Sequence, residues 1–149
     1  MALARAGIPF RILPGVTSAF GALASAGIPA TMRGLNKAII LATGHAAGEP
    51  EDLDWAALAR TGQPIVVYMG LRRLETIAAA LMAGGLAATT PAAVIAAATT
   101  DGETVLVSTL RDIAREAAAS GVASPALIVV GEIVSMRAEL GQVVKLVKS

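Results

Sequence analysis

The sequence predicts an α/β domain with a mixed parallel and antiparallel sheet of about five strands, flanked by helices. Three observations support this prediction. Short aliphatic stretches typical of buried strands alternate with helical segments along most of the chain. Asp101-Gly102 lies between two β-prone stretches, which indicates a hairpin and therefore an antiparallel pair. The length of 149 residues suits one domain with a core of its own.

The first elements are a helix end at residues 3–6 and a short strand at residues 10–13. Nothing in the sequence supplies a neighbouring strand for residues 10–13. We therefore interpret residues 1–14 as the end of a truncated N-terminal domain and residues 15–149 as a C-terminal domain.

A helix built from small residues follows at residues 17–26. It begins at a Thr-Ser pair, which suits a helix start, and Gly27 is in the place where a glycine commonly ends a helix. A helix of Ala, Gly and Ser allows either a ligand or a second backbone to come close to it, and the sequence leaves both open.

The remaining elements follow from aliphatic runs and their boundaries. Strands are predicted over residues 38–43, 65–69, 93–98, 104–109 and 126–130. Helices are predicted after Asp52 or Asp54, over residues 74–82 and over residues 110–119. The tail after Gly131 stays ambiguous.

Composition excludes several classes of function. The formal net charge is +1 with both signs interspersed, which argues against a nucleic-acid surface. The absence of cysteine excludes disulfides, thiolate chemistry and cysteine-bound zinc, and a single histidine excludes a His-rich metal site. His45 is followed by Glu49, Glu51 and Asp52, but a surface loop explains this segment better than a metal site does.

Residues 76–100 carry no charge and are long enough to span a bilayer. Gly84-Gly85 and Thr89-Thr90-Pro91 interrupt them, so we interpret them as helix, turn and strand. The first ten residues lack the sustained apolar core of a signal peptide. We therefore expect no membrane association and a cytoplasmic protein.

Two segments combine a strand end with groups that can bind a ligand. The turn from Pro14 to Ser18 offers backbone N–H groups and two hydroxyls, which suit a carboxylate, a ribose or a phosphate. Alternatively, Thr17 or Ser18 simply caps its own helix. In the second segment, a buried strand ends at Tyr68-Met69-Gly70, and Met69 could pack against adenine or belong to the core. The neighbouring Arg72 and Arg73 suit a solvated helix start.

Five motifs, taken together and in order, are more specific than any one of them. The stretches "LPGVTSAFGALASAGIPATMRGL", "TGH", "PIVVYMG", "AAATT" and "PALIVVGEIV" resemble the C-terminal part of the tetrapyrrole (corrin/porphyrin) methyltransferases. The resemblance covers nearly the whole chain and is greatest to the branch that acts on uroporphyrinogen III.

The resemblance implies a two-domain fold with S-adenosylmethionine bound between the domains, in a homodimer. It implies methyl transfer to C2 and C7 of uroporphyrinogen III, which gives precorrin-2 for sirohaem and cobalamin and releases S-adenosylhomocysteine. The reaction is a displacement at a sulfonium, so catalysis depends mainly on positioning.

The resemblance also assigns roles to residues by position. It implies cofactor contacts at Pro14, Thr17, Ser18, Tyr68, Met69, Gly70 and Ala98. It implies substrate contacts at Thr31 and Arg33, with the arginine suited to a carboxylate of uroporphyrinogen. It assigns no catalytic residue and no metal ligand here, since the presumed acid/base residues belong to the N-terminal domain.

The chain departs from the family pattern at a few positions. Met32 stands where relatives often have His, and Ala96-Ala97 stands where they have Glu-Asn. The glycine-rich cofactor loop and the Gly-Gly-Asp motif of the N-terminal domain have no counterpart, so we expect the 149 residues alone to be inactive. The alternatives are a methylase of a later precorrin and a non-catalytic ligand-binding or dimerisation domain of the same fold.

Overall fold

The computed structural model describes residues 1–48 and 52–147, and for residues 142–147 it describes the backbone alone. The helices are α1 (Ala2–Arg5), α2 (Ser18–Ser25), α3 (Trp55–Arg60), α4 (Leu74–Ala83), α5 (Ile113–Ser120) and α6 (Met136–Val147). The strands are β1 (Ile40–Thr43), β2 (Ile65–Tyr68), β3 (Pro91–Ala96), β4 (Thr104–Thr109) and β5 (Ala126–Val130). Short 3₁₀ turns at Leu71–Arg73 and Glu132–Ser135 precede α4 and α6.

The five strands form one mixed sheet in the order β1-β2-β5-β3-β4. β1 and β2 are parallel, whereas β5 is antiparallel to both of its neighbours, β2 and β3, and β4 is antiparallel to β3. The carboxyl ends of β1, β2 and β3 therefore lie at the same edge of the sheet as the amino ends of β4 and β5. We call this edge the carboxyl edge.

Each face of the sheet is covered by its own apolar cluster. On β2, Ile65 and Val67 pack in the cluster formed with α3, α4 and α5, and Val66 packs in the cluster formed with α2 and the start of α6. Successive side chains of a strand point to opposite faces, so a central strand covered on both faces is apolar throughout. The interior strands β2 and β5 have this composition, IVVY and ALIVV.

The predicted fold class is confirmed, and most of the predicted elements are present. β4 and β5 have the predicted bounds, and the hairpin at Asp101-Gly102 joins β3 to β4. Gly27 has a left-handed φ of 66° directly after α2, as expected of a helix-ending glycine. The ambiguous tail forms the second 3₁₀ turn and α6.

The predictions for residues 10–13 and for residues 76–100 have different outcomes. Residues 10–13 are exposed and form no strand in this structure, since among the described residues no strand pairs with them; their place as the last strand of a preceding domain stays a prediction. The uncharged stretch forms α4, a turn and β3, as predicted. Within the described part of the chain, no helix is long and apolar enough to cross a membrane.

Candidate functional site

A cleft of about 660 Å³ opens at the carboxyl edge of the sheet. It lies between the start of α2, the end of β2 and the turn that follows β3. Its lining includes Ser18, Tyr68, Met69, Ala97, Ala98 and Thr100, together with residues 124–127. The cleft thus brings together four of the predicted cofactor contacts, Ser18, Tyr68, Met69 and Ala98, from three separate parts of the chain.

Met69 is exposed at the end of β2, next to a tightly packed glycine. Gly70 is buried, and a Cβ there would lie 2.9 Å from side-chain methyl carbons of both Val67 and Ile128. Met69 itself has a left-handed φ of 52° and is 66% exposed. The interpretation of Met69 as a core residue is therefore wrong, since its side chain lies at the cleft.

The turn before α2 is joined to the end of β2 by a hydrogen bond between two hydroxyls. Thr17 is the N-cap residue of α2, but its side chain makes no capping hydrogen bond. The Thr17 hydroxyl is instead hydrogen-bonded to the hydroxyl of Tyr68. Self-capping by Thr17 is thus the wrong alternative for this side chain. Pro14 is exposed in the preceding segment and does not line the cleft.

The opposite wall is a tight turn formed by residues 97–100, which we call the edge turn. The N–H and the hydroxyl of Thr100 both donate to the carbonyl of Ala97, at 3.2 and 2.7 Å. Ala97 and Thr99 have left-handed φ angles of 46° and 66°. The N–H of Ala97 donates to the carbonyl of Pro125 at 2.9 Å, which joins the edge turn to the segment before β5.

The small residues of α2 allow the edge turn to come close. Ser18, Gly21 and Ser25 lie on one face of the helix by their spacing. A Cβ at Gly21 would lie 3.7 Å from the methyl carbon of Thr99, so little space separates helix and turn. The small-residue helix therefore borders the cleft at Ser18 and lets the Thr99 side chain of the edge turn approach at Gly21.

Ala97, Thr100, Ser124 and Pro125 also line the cleft, although they are not among the cofactor contacts predicted from the sequence. A signal for the last of these was present, since Pro125 begins the "PALIVVGEIV" stretch. No local pattern could show that this stretch meets the edge turn, because the two are joined through β3–β5 pairing.

Thr31 and Arg33 do not line the cleft. Both are exposed on the connection between α2 and β1. Buried Asn36 shapes this connection: its Oδ1 accepts from the N–H of Met32 at 3.0 Å, and its Nδ2 donates to the carbonyls of Ala30 and Ala38 at 2.9 Å. The connection enters β1 at Ile40, the end of the strand away from the carboxyl edge. The substrate role of Thr31 and Arg33 stays a prediction.

The loop after β1 places Asp52 in a structural rather than a metal-binding role. Its carboxylate accepts from Trp55 Nε1 at 2.7 Å, from the N–H of Leu53 at 2.7 Å and from the N–H of Gly48 at 2.9 Å. The described residues contain no group of three possible metal ligands. Glu49 and Glu51, which follow His45 in the predicted surface loop, lie outside the described residues.

The chemistry of the lining suits a flat apolar group with a polar end. Ala97, Ala98, Ala126 and Leu127 supply apolar surface, whereas Ser18, Tyr68 and Thr100 supply hydroxyls. Among the described residues that line the cleft, Tyr68 is the one with an ionisable side chain. The lining can therefore bind and orient a ligand but offers no carboxylate or imidazole for proton transfer.

The sequence matches the model of one protein family, described as Tetrapyrrole (Corrin/Porphyrin) Methylases, over residues 1–114. A sirohaem synthase 2 of Aeromonas hydrophila is 46% identical over 138 residues, which are 93% of this chain and 29% of that protein. A uroporphyrinogen-III C-methyltransferase of a Sinorhizobium species is 39% identical over 135 residues, which are 89% of this chain and 48% of that protein. The chain thus spans less than half the length of both relatives.

Solved structures have the same fold over most of the chain. A uroporphyrin-III C-methyltransferase of Thermus thermophilus is 38% identical with a TM-score of 0.75, over 93% of this chain and 58% of that one. A Thermus thermophilus structure complexed with S-adenosylhomocysteine is 32% identical with a TM-score of 0.70, over 89% and 57%. A cobalt precorrin-4 methyltransferase is 26% identical with a TM-score of 0.81, over 89% and 56%.

Proposed function

Because the chain belongs to the tetrapyrrole (corrin/porphyrin) methylases, we propose that its cleft forms part of the cofactor site of a uroporphyrinogen-III C-methyltransferase. The tetrapyrrole methylases use S-adenosylmethionine. The observation that carries the proposal is that Ser18, Met69 and Ala98 line one cleft. Thr17, next to Ser18, is hydrogen-bonded to Tyr68, which also lines it. The products would be precorrin-2 and S-adenosylhomocysteine.

The residues of the cleft fit an S-adenosyl group. The cleft volume of about 660 Å³ is within the usual range for small-molecule sites. Small side chains at Ala97, Ala98 and Ala126 let a flat base approach the backbone, and the thioether of Met69 can cover its face. The hydroxyl of Ser18 can bind a polar part of the ligand, whereas the hydroxyl of Thr100 already donates to the carbonyl of Ala97 and accepts from the N–H of Gly102.

The contribution of this chain to catalysis is binding and orientation. The bound cofactor supplies an electrophilic methyl group on a sulfonium, so no residue here needs to act as a nucleophile. Met69 and the edge turn both contact the ligand, and the Thr17–Tyr68 hydrogen bond fixes the position of the α2 start against β2. Correct alignment of two reactants lowers the activation barrier substantially. The role proposed for the residues of this cleft is to hold the cofactor in that alignment.

Substrate recognition and assembly extend the proposal. The names of the Sinorhizobium and Thermus relatives support uroporphyrinogen III as the substrate. We propose that the methyl groups go to C2 and C7. Arg33 is proposed to bind a substrate carboxylate. We also propose residues 15–149 as one domain of a larger, homodimeric and cytoplasmic enzyme, with residues 1–14 belonging to the preceding domain.

The likeness to a cobalt precorrin-4 methyltransferase favours a second candidate, a methylase of a later precorrin. Its TM-score of 0.81 is higher than that of the uroporphyrin enzymes, whereas its sequence identity of 26% is lower. Backbone similarity reports the shared fold, and substrate choice depends on side chains, so we give the identity more weight. Product analysis of the full-length enzyme with both tetrapyrroles separates the candidates.

Calorimetric titration of the chain with S-adenosylhomocysteine tests the cofactor site. We expect measurable binding that Met69→Ala weakens. Met32→Ala is the matched control, because Met32 is also exposed but does not line the cleft. No heat at about 1 mM ligand, which corresponds to binding weaker than about −4 kcal/mol, would contradict the proposal.

A methyl-transfer assay tests whether these residues are one part of the catalytic unit. With S-adenosylmethionine and uroporphyrinogen III, we expect no methylated product from the 149 residues alone, since the lining offers no group for proton removal. Formation of precorrin-2 by this chain would show that it contains the whole catalytic site.

A further inference from the structure

Glu103 joins the two sides of the β3–β4 hairpin turn from outside the cleft. Its carboxylate Oε2 accepts a hydrogen bond from the backbone N–H of Thr99 at 2.7 Å. The N–H of Glu103 in turn donates to the carbonyl of Thr100 at 3.1 Å. Glu103 is half-buried and is not among the residues that line the cleft. Its contacts with the edge turn are therefore made behind the wall that faces the ligand.

The same carboxylate lies where the hairpin meets α2 and α6. The hydroxyl of Ser25, together with the N–H of Thr99, holds the pKa of Glu103 below its usual range, and the charge of Arg137 adds to this effect. Arg137, in the first turn of α6, also donates a hydrogen bond to the carbonyl of Ala26 just after α2. One cluster of polar groups thus joins the hairpin, the end of α2 and the start of α6.

The edge turn needs support of this kind because of its backbone. Ala97 and Thr99 both have left-handed φ angles, which are unfavourable for residues other than glycine. Such a conformation persists when surrounding contacts hold it. The hydrogen bond from Thr99 to Glu103 is one of these contacts, and the packing of Thr99 near Gly21 is another.

We propose that Glu103 is a positioning residue that holds the edge turn against α2 and thereby sets the affinity of the cleft for an S-adenosyl ligand. Ser18 stands on one wall and Ala97, Ala98 and Thr100 stand on the other, so a shift of the turn changes the distance across the cleft. Glu103 acts through Thr99 and touches no ligand. This inference rests on the proposed function.

Three variants separate the hydrogen bond from the charge. Glu103→Ala removes both. Glu103→Gln keeps an oxygen that can accept from the N–H of Thr99. Asp101→Asn removes one negative charge from an exposed position in the same connection and serves as the control.

Each variant is titrated with S-adenosylhomocysteine, its melting temperature is measured, and the hydrogen exchange of the Thr99 amide is followed. We expect Glu103→Ala to weaken binding about tenfold, which is typical of losing a hydrogen bond to a charged group. We expect faster exchange of the Thr99 amide in this variant. Glu103→Gln should bind within about threefold of the parent chain, and Asp101→Asn should bind like the parent.

The outcomes distinguish this inference from the proposed function. Unchanged affinity in a folded Glu103→Ala chain overturns the positioning role and leaves the cofactor site intact. Equal losses in Glu103→Gln and Glu103→Ala also overturn it, because the retained acceptor would then have no effect. If the parent chain itself does not bind S-adenosylhomocysteine, the proposed cofactor site fails and the positioning role fails with it.

Discussion

The hydroxyl of Thr17 is hydrogen-bonded to the hydroxyl of Tyr68 across 51 positions of sequence. Thr17 precedes α2 and Tyr68 ends β2, so this contact fixes the start of the helix on the carboxyl edge of the sheet. It also explains why a threonine at an N-cap leaves its own helix uncapped by its side chain. The contact organises one side of the cleft before any ligand is bound.

A double-mutant cycle tests this contact. Tyr68→Phe and Thr17→Val each remove one hydroxyl, and we expect each to lower the free energy of unfolding by about 1 kcal/mol. The combined variant should lose less than the sum, since either change alone abolishes the hydrogen bond. Urea denaturation of the four proteins gives the coupling energy, with Thr31→Val as an exposed control. Additivity within about 0.3 kcal/mol would show that the hydroxyls do not interact.

Gly44 and Gly70 allow the ends of β1 and β2 to pack closely. A Cβ at Gly44 would lie 2.7 Å from Ile77 Cδ1 and 2.8 Å from the Cα of Gly70. Because one of these atoms is backbone, side-chain rotation cannot relieve the clash. We expect Gly44→Ala to cost about 1–3 kcal/mol of unfolding free energy, as overpacking does.

The control for this substitution is Gly15→Ala, since a Cβ at Gly15 meets nothing within 4 Å. Chemical denaturation of both variants measures the difference. A cost for Gly44→Ala within about 0.5 kcal/mol of the control would mean that the strand ends separate easily.

Because the backbone of Met69 is left-handed, two substitutions at this residue can separate its effect on stability from its effect on ligand binding. Met69→Gly removes a Cβ from a residue with φ 52°, so we expect up to about 1 kcal/mol of added stability over Met69→Ala. Both variants lose the thioether and should bind S-adenosylhomocysteine more weakly. Thermal melting and calorimetry test the two effects. Lower stability of Met69→Gly than of Met69→Ala would argue against backbone strain at this residue.

Asp52 and Trp55 provide a pH-dependent contribution to stability. Partial burial raises the pKa of Asp52, but hydrogen bonds from Gly48, Trp55 and Leu53 outweigh this effect, with a smaller contribution from the charge of His45. The pKa in the folded chain therefore lies below the ordinary value of 3.8. The associated stability is fully present above that value and is lost as the pH falls through the pKa of the folded chain.

Glu103 and Asp112 also have lowered pKa values, so their contributions to stability are lost in acid as well. The variant Asp52→Asn is therefore needed to isolate the contribution of Asp52. We expect the difference in unfolding free energy between the parent and Asp52→Asn to shrink as the pH falls from about 6 to about 3. The fluorescence of Trp55, the single tryptophan of the chain, reports unfolding directly. A difference that does not change with pH would show that the Asp52 carboxylate is not held in its charged form.

The sequence alone determined the local elements and the family. Aliphatic runs, the Asp-Gly turn and the glycine after α2 predict strands, a hairpin and a helix end because they depend on the preferences of adjacent residues. Residues 10–13 show the limit of such patterns. They have the composition of a strand, but a strand needs a partner, and in the described part of the chain they have none.

Only the tertiary structure decided which segments meet. β5, the last strand in sequence, lies between β2 and β3, and this placement brings Pro125 beside Ala97. The exposure of Met69, the Thr17–Tyr68 contact and the link from Glu103 to Thr99 likewise join or orient groups by packing. The physical reason is that strand order depends on burying both faces of the whole sheet, whereas a local pattern specifies only which faces are apolar.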